Sequence, residues 1–127
     1  MSNEISVTAA LTINDGANYK VSIQPGAVQA DMSAKAAAAG VITVGTAAEA
    51  VAMGDVATAG WSHWRNLSST TGEYVDIGGG STSSFTPVIR LYPGEVALCP
   101  LASTTVITRA STSQTNSVSV QHHIQSR

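Results

Sequence analysis

Three histidines, one cysteine and eight carboxylates are the side chains in this chain best suited to proton transfer, nucleophilic attack or metal ligation. His122 and His123 are adjacent, and on a strand adjacent side chains point to opposite faces, so the two cannot chelate one ion together. A metal site would have to bring one of them beside His63 and a carboxylate from elsewhere; histidines on a sheet surface, or partly buried, are the simpler reading. Cys99 cannot form an internal disulfide, and it lies in the apolar run Val96, Ala97, Leu98 with no adjoining cation to activate it, which is the pattern of a buried, inert thiol. The many serines include no GxSxG elbow, and no histidine stands near a carboxylate in any motif. Glu4, Asp15, Asp31, Glu49, Asp55, Glu73, Asp76 and Glu95 are dispersed, mostly at turns and strand ends. A phosphate-cradling role for Gly78, Gly79 and Gly80 would need them to open a helix bearing a lysine. They lead instead into a strand without one, so residues 78–84 read as a flexible loop or one approached closely by a neighbour. The expectation is a protein that is not an enzyme, with no catalytic set, no cofactor and no metal centre.

The tryptophans carry a different signal. Along residues 60–67, Trp61, His63, Arg65 and Leu67 fall on one face of a strand and Ser62, Trp64 and Asn66 on the other, so each face holds one indole. A strand buried on one side only would not be written that way. One indole belongs in the core and the other is to be covered by something else, which makes Trp61, Trp64 and His63 the candidates for contact with another chain.

Period-two alternation positions these residues. Residues 4–14 alternate throughout, with Ile5, Val7, Ala9, Leu11 and Ile13 on one face, and predict one half-buried strand. Asp15 and Gly16 begin a turn into Tyr19, Val21 and Ile23, which makes a hairpin. Residues 27–39 predict a strand at 28–32 running into a small-residue loop, with a helical turn over 33–39 as the alternative, and residues 46–53 suit a short helix, with Thr46 and Glu49 as a capping box, as well as a strand. Residues 41–44 are dense in β-branched side chains. Pro87 hints at an edge strand or a bulge, and Tyr92-Pro93-Gly94-Glu95 fits a type II turn. Residues 111–116 form a polar loop before a regular last strand, with Val118, Val120, His122 and Ile124 inward. Nine or ten short strands with at most one short helix predict an all-β fold, an antiparallel β-sandwich of jelly-roll-like form.

At 127 residues the size suits a single domain, 1–127. Charged residues are only 11% of the chain, against roughly a quarter in typical soluble domains, so the surface is rich in hydroxyls and tolerates being covered by partners. Six scattered basic residues and a net charge of −2 offer no basic stripe, which argues against nucleic acid as a partner. No run of 18 apolar residues predicts a membrane helix, and the first residues have no secretory pattern, so synthesis in a cytoplasm is expected.

The middle of the chain resembles small β-sandwich virion proteins of tailed bacteriophages, the capsid-decoration (cement) and head or tail accessory proteins. The resemblance lies in Arg65-Asn66-Leu67 closing an aromatic-rich strand, Tyr74-Val75-Asp76-Ile77-Gly78, Pro87-Val88-Ile89-Arg90-Leu91 and Pro93-Gly94-Glu95-Val96, within residues 45–101. It implies a virion protein made in a host bacterial cytoplasm, a homo-oligomer such as a trimer, with the major capsid protein or other virion proteins as partners. A tail, neck or fibre-adaptor component is the alternative within that family. A carbohydrate-binding sandwich that stacks sugars on Trp61 or Trp64 is the alternative outside it.

Overall fold

A computed structural model describes residues 4–16, 19–24, 26–32, 34–111 and 117–127. Among them the chain is all-β, with no helix, and therefore none long and apolar enough to cross a membrane. Twelve strands occur among the described residues, more than the nine or ten that turn spacing predicts, and two four-stranded antiparallel sheets pack as a β-sandwich. The chain divides into two compact units, residues 1–33 and 34–127.

In the first unit β1 (Ile5–Thr8) pairs antiparallel with β4 (Ala27–Ala30), and β2 (Leu11–Asp15) pairs antiparallel with β3 (Tyr19–Ile23). The single strand expected over residues 4–14 is thus two, interrupted at Ala9 and Ala10, because alternation fixes which face a side chain takes but not which strand it pairs with. The β2–β3 hairpin is present; Ala17 and Asn18 of its expected turn lie outside the described residues. The buried face expected on β2 is not buried, since Leu11 and Ile23 are each 52% exposed. Two two-stranded ladders in so short a segment offer too little apolar surface to build a second layer.

The second unit contains β5 (Ala37–Val44), β6 (Glu49–Ala50), β7 (Ala59–Asn66), β8 (Val75–Ser81), β9 (Ser84–Leu91), β10 (Val96–Pro100), β11 (Ile107–Ala110) and β12 (Val118–Ser126). First pairs with last: β5 with β12, β6 with β11, β7 with β10 and β8 with β9, all antiparallel. The chain is in effect one long hairpin that rolls up when β7 pairs with β12 and β8 with β11. The resulting sheets, β10-β7-β12-β5 and β6-β11-β8-β9, have jelly-roll topology. Val44, Trp64, Val75, Val118, Val120 and Ile124 are among the residues that fill the space between them.

Local sequence gave way to pairing at three places. Ala37, Ala38 and Ala39, expected in a loop, begin β5, where a ladder with Gln125, Ile124 and His123 overrides the intrinsic leaning of alanine towards helix. Residues 46–53 contain no helix; only Glu49 and Ala50 are regular, paired to β11. The run 78–84 is not a loop: β8 continues through the glycines to Ser81, and only Thr82 and Ser83 separate it from β9. Gly78 is required there because a Cβ would lie 2.0 Å from the Thr86 carbonyl oxygen. The register shifts between Ile77 and Gly78, which skips Val88 and makes the bulge that Pro87 hinted at, on an edge strand as expected. The turn at residues 92–95 forms, with Gly94 at φ 80° and the Glu95 amide donating to the Tyr92 carbonyl at 3.0 Å. The polar loop at 112–116 lies outside the described residues.

Candidate functional site

Strand β7 is central in its sheet, and its two faces meet different surroundings. Ser62, Trp64 and Asn66 point into the sandwich and are buried. Trp64 has no exposed surface; it stacks on His122 with ring centroids 5.6 Å apart, and its indole N–H donates to Ser62 Oγ at 2.9 Å. Ser62 Oγ in turn donates to the Cys99 carbonyl at 2.9 Å, so the polar tip of the indole is satisfied inside the core. Asn66 Nδ2 donates to the carbonyls of Glu73 (2.7 Å) and Leu91 (3.0 Å), while its Oδ1 accepts from the Ser68 amide at 2.9 Å. One side chain thereby ties the end of β7 to the connections on both flanks. Because Trp64 is wholly inside, it cannot be the contact with another chain; that part of the expectation falls to Trp61 and His63.

His122 points inward and His123 outward, as parity requires. Burial lowers the affinity of the His122 imidazole for a proton, the neighbouring His123 lowers it further, and a backbone hydrogen bond at Gly40 opposes both. Its Nδ1 has no hydrogen-bond partner among the described residues. Cys99 is half-buried rather than buried, with Sγ 3.3 Å from Ser62 Oγ. It lines an apolar recess of about 340 Å³ together with Ile77, Ile89, Leu101 and Val106.

The outer face of the β10-β7-β12-β5 sheet presents Trp61, His63 and Arg65 from β7, Val96 and Leu98 from β10, Gln121 and His123 from β12, and Val41 from β5. Val41 and Val96 are more than half exposed. Across the four strands one row reads Leu98, His63, His123, Ala39 and the next Val96, Arg65, Gln121, Val41. These strands contain no carboxylate, and Arg65 is their single charged residue.

The outer face of the β6-β11-β8-β9 sheet is built in the opposite way. Asp76, opposite in parity to the core residues Val75 and Ile77, is only 2% exposed because arginines cover it from both neighbouring strands. Arg90 donates to both its oxygens, Nε to Oδ1 at 2.7 Å and Nη2 to Oδ2 at 3.0 Å, and Arg109 Nη2 lies 3.8 Å from Oδ2. The Arg90 guanidinium rests 3.9 Å from the Tyr74 ring centroid, Tyr74 meets Tyr92 edge-on at 6.0 Å, and Arg109 lies 5.0 Å from the Phe85 ring centroid. Hydrogen bonding to Asp76 holds Arg90 even more firmly charged than usual. The register that surrounds Asp76 with arginines has no signature in the linear sequence.

Among the described residues no three or more histidine, cysteine or carboxylate side chains converge as a metal cluster. No family model, no curated protein and no solved structure matches the chain.

Proposed function

We propose that this is a non-enzymatic structural protein of a tailed-bacteriophage virion, a capsid-decoration protein that binds and stabilises the assembled head. It is made in the host bacterial cytoplasm, incorporated into the virion, and works as a homo-oligomer, most simply a trimer. The observation that carries the reading is the outer face of the β10-β7-β12-β5 sheet, where Leu98, Val96 and Val41 are exposed, Trp61 is half-buried, and Arg65 is the single charge of the four strands. Depletion of charge around exposed aromatic and aliphatic side chains is the compositional mark of the centre of a protein interface. Two further supports are the resemblance of residues 45–101 and the jelly roll, which recurs in viral capsid proteins and is at this level an analogy of fold.

Mixing the purified protein with assembled, undecorated phage heads tests the proposal. Saturable binding that raises the temperature at which the shell opens, weakened by Trp61→Ala, is the expected result. A stable monomer with no affinity for any shell would overturn it. A second reading is favoured by one observation, since Trp61 lies partly open on a fold that lectins also use. That reading expects glycan-array signal lost in Trp61→Ala; Trp64 is too deeply buried to serve as a stacking platform.

A further inference from the structure

We propose that His63 and His123 form a chelating pair for one divalent ion of the later first-row transition metals, with Cu2+ held most tightly. The two residues are direct Cα partners on the antiparallel neighbours β7 and β12, inside a stretch of regular register that shifts only beyond Ile124. Both have outward parity, opposite to Trp64 and His122, which are partners of each other on the inner face. Directly opposed side chains on one face have Cβ atoms about 4.5–5.5 Å apart. Two imidazoles at that separation can reach one ion, which imidazole nitrogen binds at about 2.0–2.1 Å.

The surroundings favour a cation of this type over a harder one. Leu98 flanks His63 in the row and Ala39 flanks His123, so neither neighbour competes for the ring nitrogens. Gln121 is the nearest outward residue before His123 on β12, and Arg65, two residues from His63, is the only charge in the four strands. With no carboxylate in the sheet, Ca2+ and Mg2+ have no hard anionic ligand, whereas imidazole suits copper, nickel and zinc, and affinity rises to Cu2+ along that series. Two protein ligands fall short of the four of a structural zinc site, so the ion is exchangeable and completes its shell with water. Ligation requires neutral imidazole, so acidification releases the ion. The inference does not depend on the virion reading.

The test is titration of the full chain, without a histidine tag, with CuCl2, NiCl2 and ZnCl2 by calorimetry, beside His63→Thr and His123→Thr. Electron paramagnetic resonance of the Cu2+ adduct counts the bound imidazoles in the unaltered protein, so the proposal stays testable even if a variant fails to fold. One Cu2+ per chain with two imidazole nitrogens is expected. Either substitution should weaken binding by more than about tenfold, the least that losing even a ligand's supporting partner costs. Binding unchanged in either variant, two ions each with a single imidazole, or no binding would overturn the proposal.

Discussion

The two sheets of the sandwich share one core but differ in how their outer faces are built. On β6-β11-β8-β9 the outer face pairs its central charge within the chain: Asp76 is enclosed by Arg90 and Arg109, which lie in turn against Tyr74 and Phe85. On β10-β7-β12-β5 the outer face is left open, with Trp61, Leu98 and Val96 turned outward and no charge but Arg65. Charges paired within the chain leave little for a partner to satisfy at Asp76, although Val88 on the same sheet is exposed, whereas aliphatic and indole surface with almost no charge around it is the surface a partner would cover. The contrast is between a face organised around a paired charge and a face almost without charge, and the second is the one the proposed association uses.

The most severe test of that contrast uses the two indoles of β7. Trp64→Ala empties the core and should lower the unfolding free energy by about 3–5 kcal/mol, whereas Trp61→Ala, at a half-buried position on the outer face, should cost clearly less. Equal costs at the two positions would break the distinction between inner and outer faces. Next in size is Asp76→Ala, which removes the centre of the closed face and should cost about 1–3 kcal/mol, the scale of hydrogen bonds to a charged group. A cost near zero would mean that this face is as open as the other.

The pH dependence sharpens the inner side of the same comparison. His122 takes up a proton less readily in the folded chain than in the unfolded one, so the unfolded state binds more protons in acid. Stability should therefore hold above the ordinary imidazole range and fall as the pH drops through and below it. His122→Leu should flatten that slope in a urea series, and His123→Leu, on the open face, should leave most of it. Smallest of all, Val96→Ser and Leu98→Ser should change monomer stability by no more than about 0.5 kcal/mol, while reducing any association that uses this face.

Much of the architecture was legible because β-structure writes itself in a period of two. The inward set Val118, Val120, His122 and Ile124 was readable at once, as were the Pro93-Gly94 turn and the opposite orientation of the two tryptophans. Less legible were places where pairing overrode local preference. The alanines of β5 pair with the distant β12, β1 pairs with β4 while β2 pairs with β3, and the glycines of β8 pair with β9 across a two-residue turn; propensity carries no record of those pairings. The enclosed Asp76 was invisible for the same reason. A carboxylate opposite an arginine becomes an ion pair only when register puts them there, and the bulge at Gly78 helps to set that register.

The sequence by itself determined that the chain is β, that strands roll into a sandwich, and that β7 carries an indole on each face. Only the tertiary structure decided which indole is inside. The reason is that β7 is symmetrical in its own pattern and β12 is not: β12 has one face that must be buried, and pairing Trp64 with His122 and His63 with His123 passes that choice to its neighbour. The same pairing that hides Trp64 leaves Trp61 on the surface and sets two histidines side by side.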